Sequence, residues 1–234
     1  MSTADVCAVA LAELFRGDGE ILASPMGLLP SLGARLARRT FEPELLISDG
    51  EAYLVDDESV VEGWLPYRKV FEVVAHGSRH VVMGANQLDR YGNQNISCIG
   101  DHEKPTRQLL GFRGAPGNTV NHRTSYWVPR HSKRIFVPAV DVVSGVGYNQ
   151  AEAGRFHDVH RVVTNLAVLD FATEERTMRL VSTHPGVAVD DVLDSTGFPL
   201  DTKEAAESRG PTASELELLA ELDPDGKRYL EVSE

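Results

Sequence analysis

Met83-Gly84-Ala85-Asn86-Gln87-Leu88-Asp89-Arg90-Tyr91-Gly92-Asn93-Gln94-Asn95 is the stretch on which the fold turns. It closes the apolar run His80-Val81-Val82-Met83, which has the length of a buried strand. Asp89-Arg90-Tyr91-Gly92-Asn93 then reads as a turn in which Gly92 suits a positive φ. Flanked by Val81-Val82-Met83 and Ile96-Ser97-Cys98, the segment predicts a β-hairpin.

Upstream, helical spacing of Val6, Val9, Ala10, Leu14 and Phe15 predicts a helix capped by Ser2, Thr3 or Asp5 and ended by Gly17 and Gly19. A second helix is expected over 28–40, a buried strand over 45–48 that breaks at Asp49-Gly50, a helix over 67–77 and a strand over 80–84. Strands alternating with helices of this length imply a mostly parallel sheet flanked by helices. Downstream, extended runs at 134–137, 140–144, 161–171 and 178–182 make the C-terminal half strand-rich. His184-Pro185-Gly186-Val187 precedes a short helix, and 201–214 reads as a surface crossing. No repeat or linker divides the chain, so 1–234 is expected to form one α/β domain.

With 42% hydrophobic and 25% charged residues in 234, the chain can bury a substantial core. Its net charge of -12 disfavours nucleic acid as a partner. The first twenty residues carry Asp5, Glu13 and Asp18 among their apolar positions, which predicts neither a signal peptide nor a membrane span, and a cytoplasmic enzyme component is expected. Cys7 and Cys98 lie in no CxxC pattern and read as reduced core thiols. No histidine spacing predicts a metal site.

Three constellations can carry chemistry. Ser48-Asp49-Gly50-Glu51 ends a strand where open α/β sheets place ligands; Asp49 and Glu51 form either an acid/base pair or an aspartate turn that caps the next backbone amides. Asn86 and Gln87 can read a carbonyl without charge, whereas the amides beyond Arg90 suit tight-turn structure. Gly111-Phe112-Arg113-Gly114-Ala115-Pro116-Gly117-Asn118-Thr119-Val120-Asn121-His122 is a glycine-rich loop before a helix: it either brings backbone amides to an anion or simply turns the chain. It matches neither GxGxxG nor a Walker A lysine motif, and no GxSxG is present.

In this order the segments resemble the β subunits of class I CoA-transferases across nearly the whole chain. The 83–95 stretch is similar to that family's G-A-x-Q-V-D-x-x-G-N-x-N signature, Gly114-Ala115-Pro116-Gly117-Asn118 stands where the family has a Gly-rich loop, and Val163-Thr164-Asn165-Leu166-Ala167-Val168-Leu169-Asp170-Phe171 with His184-Pro185-Gly186-Val187 matches its C-terminal landmarks. The resemblance implies a CoA-transferase-like (NagB/RpiA-type) layered sandwich. Two departures point to one branch. Where transferases carry a nucleophilic glutamate, this chain has Asp49, one methylene shorter, and misplacing a reacting carboxylate by about an ångström costs on the order of a hundredfold. Pro116 and Asn118 alter the Gly-rich loop, and Asn121-His122-Arg123-Thr124-Ser125-Tyr126-Trp127 follows it.

Both departures resemble the β subunits of steroid ring-cleaving hydrolases. That likeness implies an α2β2 heterotetramer acting on a steroid-derived acyl-CoA (COCHEA-CoA), with CoA as part of the substrate, no further cofactor, no membrane association, and the principal catalytic glutamate on the α subunit. Asp49, Glu51, Asn86, Gln87, Gly114, Gly117, Asn118, Asn121 and His122 are then expected to line the remaining wall of the pocket. A CoA-transferase β subunit and a noncatalytic scaffold for the α subunit are the competing readings.

Overall fold

Ser2 and Asp5 close a reciprocal capping box: the Ser2 hydroxyl accepts from the Asp5 amide, and the Asp5 carboxylate accepts from the Ser2 amide. This starts α1 (Thr3–Ala12), which runs into a 3-10 turn over Glu13–Phe15 and stops at Gly17 and Gly19, both at positive φ. The computed structural model describes residues 2–50, 52–151 and 156–232. After α1 come β1 (Leu22–Pro25), α2 (Leu28–Thr40), β2 (Leu46–Ser48), the hairpin strands β3 (Tyr53–Val55) and β4 (Val61–Trp64), α3 (Tyr67–His76) and β5 (Arg79–Gly84). Sequence reading passes over β1, a four-residue strand ending in proline. Asp56-Asp57-Glu58 is the turn of the β3/β4 hairpin, where Asp57 pairs with Arg39 of α2.

The amide-rich stretch forms its own small ribbon from β6 (Gln87–Leu88) and β7 (Gln94–Asn95). Its arms are therefore shorter than the apolar flanks suggested, because 81–83 belongs to the main sheet. Gly92 has φ 82°, and a Cβ there would stand 2.9 Å from the Phe171 ring, so both conformation and packing require glycine. A second ribbon, β8 (Cys98–Ile99) with β9 (Arg107–Gln108), precedes α4 (Ala115–Asn121). Then follow β10 (Arg123–Val128), β11 (Asp158–Thr164), β12 (Ala167–Asp170), β13 (Arg179–Thr183), α5 (Val189–Asp194), β14 (Ala206–Glu207), α6 (Ala213–Leu222) and α7 (Arg228–Glu231).

Three of the extended runs fold differently from the sequence-based expectation. The 161–171 run folds back on itself: the Thr164 hydroxyl accepts from the amides of Leu166 and Ala167, making the turn between antiparallel β11 and β12. The runs 134–137 and 140–144 form no named strands. Leu88 bonds the backbone of Ile135 and Val137 as a single bridge, and Phe136 is fully buried against the His131 ring at 4.0 Å, so these apolar residues pack from irregular chain.

The main sheet has the order β14-β13-β12-β11-β10-β5-β1-β2-β3-β4. β2, β1, β5, β10 and β11 are parallel neighbours, and antiparallel strands extend both flanks. Alternation along the strands divides the core. Ala23, Ile47, Val82, Trp127 and Val163 pack under α1, α2 and α6, whereas Val81, Met83, Tyr126, Val128 and Val162 pack on the opposite face with Ala115 of α4 and Val192 of α5. Cys7 and Cys98 are buried free thiols. Among the described residues no helix is long and apolar enough to cross a membrane.

The chain leaves β1 in one direction through β2 and returns on β1's other side as β5. Strand order therefore reverses between β1 and β5, and the crevice beyond their carboxyl ends is where open α/β sheets bind ligands. That edge receives Pro25-Met26-Gly27, Ser48-Asp49-Gly50 and Gly84-Ala85-Asn86.

Candidate active site at the strand switch

Of the five side-chain amides in the 83–95 stretch, four build and one presents. Asn93 donates to Asp89 and Asn149 and accepts from the Gly147 amide; Gln94 donates to the Gly84 carbonyl at 2.6 Å; Asn95 donates to the Gln87 side chain and the Cys98 carbonyl. Gln87 accepts from Asn95 and the Asp141 amide and donates to the Asp141 carboxylate. Asn86 differs. Its backbone amide donates to the Asn95 carbonyl at 3.0 Å, which anchors the main chain, while its side chain is exposed and meets no hydrogen-bond partner among the described residues. The ribbon thus fixes the backbone of Asn86 at the switch point and leaves its side-chain amide available to donate to a carbonyl or an oxyanion.

Two strands away, at a lateral distance of ~10 Å, Asp49 is exposed, and its Oδ1 accepts from the amides of Ala52 at 2.9 Å and Tyr53 at 3.1 Å. It is an aspartate turn of the kind the sequence offered as one alternative. Gly50 closes it at φ 89°, where a Cβ would stand 3.0 Å from the Pro25 carbonyl oxygen, so β1 and β2 meet closely at this edge. Glu51 lies outside the described residues.

The glycine-rich segment is largely structural. Its helix α4 starts within the loop at Ala115, and Gly114 is exposed at its head. Because β10 begins directly after α4 and runs back toward the switch edge, Gly114 lies on the side of Asn86. Gly117 lets α3 approach: a Cβ would meet Val74 at 2.7 Å. Asn121 donates to the Gly117 carbonyl. Gln87, Asn118 and His122 are only 6%, 2% and 2% exposed, so they do not line an open wall as the sequence reading placed them. Asn118 bolts α4 to β5, accepting from Arg79 and donating to Met83 Sδ at 3.4 Å.

One constellation was invisible in the sequence. His80 Nδ1 lies 2.6 Å from Asp18, and its Nε2 lies 2.9 Å from the Ser125 hydroxyl, the connectivity of a Ser-His-Asp relay. His80 and Ser125 are 0% exposed and sit near the amino ends of β5 and β10, so no substrate reaches them. With Arg123 bridging Asp18 and Asp158, the group ties the first helix to the sheet.

Neutral histidines, His122 and His131 buried and His160 half-buried, give the fold a defined acid response. Burial and nearby Arg79 push His122 down to about 4, burial pushes His131 to about 3, and burial with neighbouring His80 pushes His160 to about 4. In the unfolded chain these rings titrate near 6.5. Below that value the unfolded state binds more protons than the folded one, so stability is complete above about pH 6.5 and is lost as pH falls toward about 4. His122 and His131 each cost on the order of 3 kcal/mol across that window. Urea midpoints at pH 7, 6 and 5 should fall steadily, and His131→Gln should flatten the slope; equal midpoints at pH 7 and pH 5 would contradict this.

Fold and site together define an α/β protein with a ligand edge at the strand switch. The Coenzyme A transferase model matches residues 68–195, and relatives more than half identical span the chain, so the chain belongs to the Coenzyme A transferase family. It is 54% identical to the cholesterol ring-cleaving hydrolase IpdB subunit of Rhodococcus jostii, covering 100% of this chain and 97% of that protein. It is 55% identical to the subunit of the same name from Mycobacterium tuberculosis, covering 99% of both. Among solved structures, the crystal structure of Rhodococcus jostii IpdAB superposes with a TM-score of 0.95 at 53% identity, covering 100% of this chain and 99% of that one.

Proposed function

We propose that this chain is the β-type subunit of a cholesterol ring-cleaving hydrolase, active with an α-type subunit in an α2β2 assembly. The substrate is a steroid-derived acyl-CoA, COCHEA-CoA, whose last ring is opened by water. The full-length likeness to the IpdB subunits supports this, and the observation that carries the chemistry is the exposed Asn86 amide at the strand switch, ~10 Å from a carboxylate committed to its own turn. A transferase needs a carboxylate free to attack the acyl-CoA, forming a mixed acyl anhydride as CoA thiolate leaves, and then to take that thiolate back as an enzyme thioester while the acid departs. Asp49 is instead pinned through Oδ1 by two backbone amides.

Hydrolysis makes different demands. A base removes a proton from water, the hydroxide adds to an electron-poor ring carbonyl carbon, and the adjoining C–C bond breaks. The departing carbon's electron pair spreads into the conjugated thioester and is then protonated, leaving a carboxylate and an opened ring. Donors fixed where the oxyanion forms lower this barrier. In this reading Asn86 supplies such a donor, Gly114 leaves room for the substrate, Asp49 and Glu51 add supporting carboxylates, and the principal base comes from the α subunit. Gln87, Gly117, Asn118, Asn121 and His122 act behind the wall as positioning residues. CoA enters as part of the substrate with no additional cofactor, and the complex works in the cytoplasm, where buried thiols such as Cys7 and Cys98 remain reduced.

Co-expression with an α-type subunit tests the proposal. The two chains should co-purify and consume the ring acyl-CoA, and neither should do so alone. Full activity of the α chain by itself would reduce this chain to a scaffold. Normal turnover by Asp49→Ala and Asn118→Ala complexes would overturn the pocket assignment.

A further inference from the structure

Arg79, the first residue of β5, is 6% exposed and has no carboxylate within ion-pair distance among the described residues. Its Nη1 donates to the Ser24 hydroxyl at 3.3 Å and its Nη2 to the Asn118 carbonyl oxygen, while Nε is buried without a partner. The adjacent ring of His122 is also buried, beside the α3 backbone at Val74. A guanidinium removed from water without a counter-charge costs several kcal/mol, and natural interiors supply an anion to meet it. Here burial alone lowers its pKa to about 10, so the group remains charged near neutrality.

Against Arg79 lies a small cavity between the sheet and α3, lined by Ser24, Ser48, Tyr53, Leu54, Val70 and Val73 among others. The cavity volume is about 10 Å³, room for a single species about the size of a water. Ser24, Ser48 and Arg79 point to the same face because β1, β2 and β5 run parallel and in register, with Leu22 opposite both Leu46 and Arg79. Ser48 donates to Ser24 at 3.1 Å and accepts from the Gly50 amide, and the Ser24 proton finds no acceptor among the described residues. Among the described residues the lining thus presents a cation and a spare hydroxyl donor, and no acidic side chain.

We propose that this cavity is a binding site for a single chloride-sized anion, held by Arg79 and the Ser24 hydroxyl. The anion compensates the buried guanidinium. Through Ser48 it also braces the Ser48-Asp49-Gly50 turn from behind, so that occupancy is felt at the switch edge without contact with substrate.

The experiment uses the full chain with its α-type subunit. Thermal unfolding is followed while sodium gluconate is exchanged for sodium chloride at constant ionic strength, and crystals grown in sodium bromide are examined for anomalous scattering. The expected result is a saturable rise in Tm of ~2–4 °C with chloride and a bromide peak beside Arg79. Arg79→Met should remove the chloride-specific rise. Should that variant not fold, Ser24→Ala should shift the chloride titration to higher concentration. Equal Tm in chloride and gluconate, or a cavity holding only water in bromide-grown crystals, would overturn the proposal.

Discussion

Asn86→Ala in the assembled enzyme is expected to lower turnover of the ring acyl-CoA about 100-fold, the usual cost of removing one preorganised oxyanion donor. KM should change little, because the bond strengthens only as charge develops in the transition state. The folded state should be indifferent: the Asn86 side chain is exposed and unbonded within this chain, and its anchoring backbone bond to Asn95 survives truncation. Steady-state kinetics with a parallel melting curve reads both. A variant of normal kcat, or one whose loss tracks a fall in Tm, would remove Asn86 from the site. Asp49→Asn is the companion: the amide oxygen can still accept from Ala52 and Tyr53, so the turn persists while the charge is lost. Comparison with Asp49→Ala therefore separates the carboxylate's charge from its capping.

The largest stability effect is expected at Arg228. Its guanidinium, 5% exposed, donates to Asp5 at 2.9 Å and to Asp223 at 3.0 Å, and those carboxylates are 4% and 5% exposed. Arg228→Met leaves two buried carboxylates without their cation, and breaking a buried pair on one side costs about 3–5 kcal/mol. Asp5 belongs to the capping box of α1, and Asp223 accepts from the Lys227 and Arg228 amides at the head of α7, so the loss should loosen the first and last helices together. Denaturant midpoints should fall accordingly, and adding Asp5→Asn to Arg228→Met should restore part of the loss. A single variant within 1 kcal/mol of the parent, on the order of a surface substitution, would show that the triad contributes little.

Much of this fold is legible in the chain because local signals agree with the global structure. The Ser2/Asp5 box, the apolar stripe of α2 and the Gly92 turn are each set by residues within a few positions of one another. What escaped reading depends on distant partners. β1 is four residues long and becomes a strand because β2 and β5 flank it. The 134–144 segment is apolar enough for strands but finds only one bridge to β6, and its Phe136 fills core from irregular chain. The candidate site divides in the same way. That amides and glycines mark a ligand edge follows from the 83–95 and 111–122 stretches; which of them face outward does not, because Gln87, Asn118 and His122 are turned inward by Asp141, Arg79 and α3, all remote in sequence. The histidine relay at Ser125 and the lone cation at Arg79 are equally products of strand register.

Water, and no second acid, should be the acceptor in the reaction this chain helps perform. With the α-type subunit present, the ring acyl-CoA should be consumed in H₂¹⁸O without any added carboxylic acid. The opened product should retain CoA and carry one ¹⁸O in its new carboxylate. Consumption that requires an acceptor acid, with CoA transferred to it and no ¹⁸O in the ring-derived product, would identify a transferase and contradict the account.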